Sequence, residues 1–154
     1  MRLALQTDFA LRTLLYLASR PRRATIAEIA AFYEISAHHL GKVVHQLGKL
    51  GLAKNLRGPG GGLELAVPAS SIRVGEVIRA FETTTHLLEC IGTPGICVIQ
   101  PGCTLRGVLA EAERRQMSYL DEITIASLVP QQDIVTLKAE HFAGSVMDPT
   151  GDLA

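Results

Sequence analysis

At 154 residues the chain is long enough to bury one real core and too short for two independent domains. It is 47% hydrophobic with no tryptophan, and no apolar run approaches the roughly 18 residues of a membrane span. Net charge is zero, yet residues 1–60 carry nine Lys/Arg against three Asp/Glu and residues 61–154 carry six against twelve, so a basic half suited to a polyanion precedes an acidic half with other work.

The opening MRLALQTDFALR is interrupted by Asp8 and Arg12, unlike a secretory leader, so a cytoplasmic protein is expected. A first helix is predicted from about Thr7, read as its N-cap, to Ser19, with Leu11, Leu14, Leu15 and Ala18 on one face. Arg20-Pro21-Arg22-Arg23 breaks it. Thr25 and Glu28 then form a capping box for a short helix, and Glu34-Ile35-Ser36 makes a tight turn. Ser36 caps a third helix in which Leu40, Val43, Val44, Leu47 and Leu50 recur at helical spacing, and Gly51 ends it.

Helix, tight turn and helix at this length make a helix-turn-helix. Two short strand-like runs, residues 52–56 and 63–67, flank the tip Arg57-Gly58-Pro59-Gly60-Gly61-Gly62, and Pro68 stops the second. Such a hairpin directly after a helix-turn-helix reads as a wing. The expected fold is mainly α with a small β-hairpin: a winged helix-turn-helix unit over 1–82, a cysteine loop over 83–103, a dimerisation helix and its following segment over 104–130, and a flexible tail over 131–154. The dimerisation helix carries a stripe of Leu105, Val108, Leu109, Ala112, Tyr119, Leu120 and Ile123, for which a second copy of the chain is the natural cover.

If the third helix enters a major groove N-terminus first, Ser36, His38 and His39 are the base-edge candidates, with Lys42 and Gln46 further along. Arg12, Lys49, Lys54 and Arg57 are phosphate-type contacts, and Gly60 and Gly61 let the wing approach closely. No nucleophile–base pair or catalytic motif is present, so an enzyme is not expected.

Cys90, Cys97 and Cys103 are the only cysteines, in a loop rich in Gly and Pro. An odd count argues against a disulfide framework, and soft thiolates crowded into one loop suit an iron–sulfur cluster or zinc. The spacings are wider than structural zinc knuckles use. Three sulfurs leave a fourth position open, for which His86, close in sequence, Asp8, reaching across a dimer, and an exogenous group are the alternatives.

Met1-Arg2-Leu3, Thr7-Asp8-Phe9-Ala10-Leu11-Arg12, the glycine-rich tip Arg57 to Gly62, Pro68 with its following helix, and three cysteines ahead of a long helix together resemble the Rrf-type iron–sulfur regulators over about residues 1–130. Within that family, Asp8 and Thr104-Leu105-Arg106 after the last cysteine are similar to the nitric-oxide-sensing repressors. The cluster-biogenesis branch places a histidine where this chain has Arg106, which stays protonated and cannot ligate a metal. The iron-responsive branch shares the three cysteines and the wide first spacing. Pro59 departs from the family's more arginine-rich wing tip.

The resemblance implies a homodimeric repressor of palindromic double-stranded DNA with one iron–sulfur cluster per subunit, 4Fe–4S in preference to 2Fe–2S. It implies Asp8 as the fourth ligand and nitric oxide as the signal that nitrosylates or removes the cluster. Two alternatives remain: a regulator in the same family that responds to iron or cluster status, and an iron–sulfur redox protein that does not bind DNA.

Overall fold

A computed structural model describes residues 3–20, 22–131 and 134–145. The chain runs α1 (Leu5–Ala18), α2 (Ile26–Tyr33), α3 (Ala37–Lys49), β1 (Ala53–Leu56), β2 (Gly62–Leu65), α4 (Val74–Phe81), α5 (Glu89–Gly92), α6 (Thr104–Glu122), α7 (Ile125–Leu128) and α8 (Ile134–Ser145). A mainly helical chain with one antiparallel hairpin is what the sequence predicts.

Local chemistry sets most of the boundaries. The Thr25 hydroxyl accepts from Glu28 N (3.1 Å) while Glu28 Oε2 accepts from Thr25 N (2.6 Å), so the capping box is complete and α2 starts where expected. Ser36 caps α3, and Gly51 takes a left-handed φ of +69° just past its end. Glu34 adopts the same left-handed region, φ +57°, at the bend between α2 and α3.

One expected cap is different. Thr7 lies inside α1, fully buried, and Ala4 occupies the N-cap position with no side chain to offer. The missing acceptor arrives from afar: Glu82 Oε1 accepts from Ala4 N (2.8 Å) and from the Thr7 hydroxyl (2.6 Å). An anionic acceptor there also suits the positive end of the helix dipole.

The core gathers Ala10, Leu14 and Leu17 of α1, Ile29 of α2, Leu40, Val43 and Leu47 of α3, Leu63 of the hairpin, and Val77 and Ile78 of α4. It is closed from well beyond residue 82. Ile125 of α7 is fully buried in it, held by Ile125 N to Ile72 O and Val74 N to Ile123 O, each 2.9 Å. The winged unit is therefore not the continuous stretch 1–82 expected from the sequence.

The expected flexible tail needs a like correction. Residues 134–145 form α8, with Ile134 buried and Lys138 Nζ donating to the α2 carbonyls of Ala31 (3.0 Å) and Phe32 (2.6 Å). Those are C-terminal carbonyls of α2, which a cation satisfies well. The remainder of that tail, from 146 on, lies outside the described residues.

Candidate nucleic-acid interface and cysteine loop

α3 is two-sided. Leu40, Val43, Val44 and Leu47 are buried, while His38, Lys42, His45 and Lys49 follow one another at four-, three- and four-residue steps along the exposed side. His39 is exposed beside His38. Ser36, expected at a base edge, spends its hydroxyl as acceptor for His39 N (3.4 Å).

Gln46 differs from expectation. It is half-buried and turned inward, and its Nε2 donates to the carbonyl of Ala80 in α4 at 2.9 Å. His45 takes its place on the outer face. The sequence held a signal for it, since His45 lies seven residues after His38 and three after Lys42.

Between α3 and the hairpin runs an open groove of about 600 Å³ lined by Gly41, His45, Gly48, Lys49, Lys54 and Asn55 among others. A Cβ at Gly41 would have nothing within 4 Å, and one at Gly48 would meet only the Ala53 carbonyl at 3.8 Å. Glycine inside a helix costs about 0.5–1 kcal/mol relative to alanine. No contact within the chain requires it here; what both glycines do is leave the α3 wall of the groove bare.

The wing pairs Ala53 with Leu65 through to Leu56 with Gly62. Its tip must be glycine: Gly60 has φ +74°, and a Cβ on Gly61 would collide with the carbonyl oxygens of Leu56 and Gly58. Ala24, in the α1–α2 linker, bridges to Leu63 as a third strand fragment. Next to it, Arg23 donates to Glu64 Oε2 (2.6 Å) and to the tip carbonyl of Gly60 (3.1 Å). Arg23 thus braces the wing. The sequence reading missed it, having assigned it only to a helix break.

Glu64 is also paired with Lys54 (3.0 Å), and hydrogen bonds from Arg23 and then Lys54 hold its carboxyl below the ordinary range. Arg57, Lys42 and Lys49 are exposed and have no ion-pair partner among the described residues. Arg12, expected at a phosphate, lies against the Tyr33 ring and pairs with Asp8 Oδ1 at 2.8 Å. Two unlike outcomes follow for the salt dependence of DNA binding. Arg57→Ala is expected to lower the slope of log K against log salt by ~1, the value for one lost phosphate contact. Lys54→Ala should lower it less, because Glu64 already shares that charge. A slope in Arg57→Ala unchanged from wild type in fluorescence anisotropy would remove Arg57 from the interface.

The three cysteines are all free thiols, Cys90 and Cys103 half-buried and Cys97 exposed. Their loop is braced by other residues. Gln100, almost fully buried, donates to the carbonyls of Cys90 (2.8 Å) and Thr93 (2.9 Å) and accepts from Gly95 N (2.6 Å). Arg106 Nε donates to the Cys90 carbonyl at 2.8 Å, and its terminal nitrogen to that of Ile91 at 3.3 Å. Among the described residues the sulfurs form no disulfide and take no part in these hydrogen bonds. As a donor set, three soft, uncommitted thiols on one loop fit an iron–sulfur cluster.

The structure does not gather a ligand cage. Among the described residues no three Cys, His, Asp or Glu side chains converge, and Asp8 stays with Arg12 on α1. His86 Nδ1 is 2.9 Å from Glu113 Oε1, and its ring covers Gly92, where a Cβ would strike it. That contact fastens the start of the loop to α6.

The profile of the Rrf2 family, described as iron-dependent transcriptional regulators, matches residues 3–131. The chain belongs to the Rrf2 family. This Rrf2 protein is 40% identical over 136 residues to the HTH-type transcriptional regulator NsrR of Shouchella clausii, covering 86% of this chain and 91% of that one. It is 40% identical over 141 residues to NsrR of Bacillus subtilis, covering 89% and 97%. Its fold is similar to CymR, the global cysteine regulator of B. subtilis, with a TM-score of 0.72 at 22% identity over 86% of this chain and 99% of that one. As an Rrf2 member it is a transcriptional regulator and not an enzyme. No helix among the described residues is long and apolar enough to cross a membrane.

Proposed function

We propose that this Rrf2 protein is a homodimeric repressor that binds palindromic promoter DNA and is released from it by nitric oxide. His38, His39, Lys42, His45 and Lys49 of α3 face the major groove, and Arg57, Gly60 and Gly61 of the wing lie against the backbone or minor groove. Phosphate contacts from Lys49 and Arg57 position the protein, and the histidines carry the sequence choice. Cys90, Cys97 and Cys103 hold one iron–sulfur cluster per subunit, 4Fe–4S in preference to 2Fe–2S, with Asp8 of the partner subunit as fourth ligand. A cluster so held would supply iron with which nitric oxide can react.

The observation that carries this reading is the set of three free thiols on one loop, in a chain 40% identical to regulators named NsrR. The nitric-oxide signal rests on the resemblance of Asp8 and Thr104-Leu105-Arg106 to that branch. Asp8 must leave Arg12 to serve as a ligand, and a hard carboxylate holds a soft site weakly, which suits a sensor. The description of the family as iron-dependent supports a second reading, in which the signal is iron supply.

Anaerobic titration with nitric oxide, followed by DNA-binding anisotropy, tests the reading. Loss of operator affinity as nitric oxide is added supports it; unchanged affinity, with release on iron chelation instead, favours the iron-status reading. Asp8→Ala is expected to keep a cluster with an altered spectrum, a shorter lifetime and a blunted response. An unchanged spectrum and lifetime would take Asp8 out of the ligand set.

A further inference from the structure

The last turn of α4 is held by two groups for which the interface and the cysteine loop have no evident use. The Ala80 carbonyl belongs to the final turn, where no intrahelical donor reaches it, and Gln46 of α3 supplies the donor at 2.9 Å. Two residues on, Glu82 accepts from Ala4 N and the buried Thr7 hydroxyl, both at the start of α1. The cysteine loop begins at the next residue, and Asp8 directly follows Thr7. Residues 80–82 therefore touch both the recognition helix and the helix that carries Asp8, and adjoin the root of the cysteine loop.

We infer that Gln46 and Glu82 are positioning residues that couple the state of the cysteine loop to α3. The inference deepens the proposed function and rests on it. A glutamine inside a recognition helix has an obvious alternative in a base contact, and here the amide is spent on α4 instead. A carboxylate capping a helix start 78 residues away fixes α1 to residue 82 through two charge-assisted bonds. Displacement of the loop root at Thr83 moves Glu82 and Ala80 together. Glu82 carries that movement to the turn of α1 bearing Asp8, and Ala80 carries it to α3.

Sequence reasoning cannot find this joint, because its partners lie 34, 75 and 78 positions apart. Nor does it require a new ligand. Its role is to make the affinity of α3 for DNA depend on what the loop holds, which is a coupling between two sites rather than a contribution to either.

The test measures, for full-length protein, the ratio of operator Kd without and with the cluster, the cluster-free form being prepared by chelation. The variants are Gln46→Leu, which keeps the side chain's bulk without its amide, and Glu82→Ala with Glu82→Gln as the conservative replacement. Iron content, circular dichroism of the cluster and cluster-free affinity are followed in parallel. One lost hydrogen bond of this kind is expected to reduce the ratio by about three- to tenfold in Gln46→Leu. Cluster-free affinity and iron content should stay near wild type. Glu82→Ala should reduce the ratio similarly and shift the cluster's dichroism, with Glu82→Gln restoring part of both, since its amide oxygen still accepts.

A wild-type ratio well above one that stays unchanged in Gln46→Leu and Glu82→Ala overturns the coupling role and leaves the proposed function standing. A wild-type ratio of one overturns both. Equal losses of affinity in the cluster-bearing and cluster-free forms would make the two residues structural only, and also count against the inference.

Discussion

Replacing any one of Cys90, Cys97 or Cys103 with alanine is expected to give colourless protein without iron or sulfide and without nitric-oxide-dependent release of DNA. The effect should be nearly complete, because two thiolates and a weak carboxylate cannot retain a cluster that three thiolates hold. The fold should survive. The loop's carbonyls are satisfied by Gln100 and Arg106, whose donors do not involve the sulfurs, and none of the three thiols is fully buried. Thermal unfolding of the cluster-free forms should therefore fall within a few degrees of cluster-free wild type, the shift expected for less than ~1 kcal/mol in a domain of this size. Metal analysis decides the matter: stoichiometric zinc without sulfide in the wild-type protein would sink the cluster reading.

The second large effect concerns α6. Over 19 residues this helix buries no side chain fully, and its apolar stripe divides. Met117, Leu120 and Ile123 lean on the core, while Leu105, Val108 and Tyr119 are 57%, 64% and 63% exposed. With exposed Ala112 they fall in line at three-, four- and seven-residue steps. Single exposed apolar residues are ordinary, but a row of them along one helix marks an interface. If that face meets its own copy, each side chain is buried twice by two-fold symmetry, at ~1.5–3 kcal/mol per burial. Val108→Glu together with Leu105→Glu should then raise the dimer dissociation constant by at least about a thousandfold. Loss of the second DNA head should lower operator affinity by about 10²–10⁴. Sedimentation at micromolar concentration reads the first, anisotropy the second. A variant that stays dimeric and binds DNA normally would move the interface elsewhere.

How much was legible in the sequence divides by the reach of each interaction. Thr25 with Glu28, Ser36 at the head of α3 and Gly51 at its end are all settled within four residues, and each element begins or ends where those residues say. The wing was readable for the same reason: the glycines at its tip answer to steric demands inside the tip itself. Thr7 looked like a cap because its type and position were right. What the sequence could not show was that Glu82 would take that task and leave Thr7 buried.

Apart from His45, which helical counting from His38 and Lys42 could have found, the missed residues act at a distance. Arg23 reaches Glu64 from 41 positions away, and Lys138 reaches α2 across more than 100. The glycines and proline near the C-terminus suggested a loose tail, yet Ile134 and Lys138 dock α8 before that composition sets in. The site was legible as a list of residue types and not as an arrangement. The histidines and lysines of α3 could be placed on one face by counting, but Gln46 and the grouping of the thiols depend on tertiary neighbours that no spacing encodes.

The paired hydrogen bonds between residues 72–74 and 123–125 give the molecule a further property. The chain leaves the core at one strand-like crossing and returns through it, with Arg73 bridged to Thr124. Between the two lies everything the proposed sensor needs except Asp8. That excursion begins as α4, whose inner side chains belong to the core, and from 83 to 122 it is a cassette stapled at its base. A regulator built this way can have its sensing chemistry exchanged, lengthened or silenced by rewriting one contiguous stretch of gene. Ile125, which lies beyond that stretch, closes the core of the DNA-reading unit.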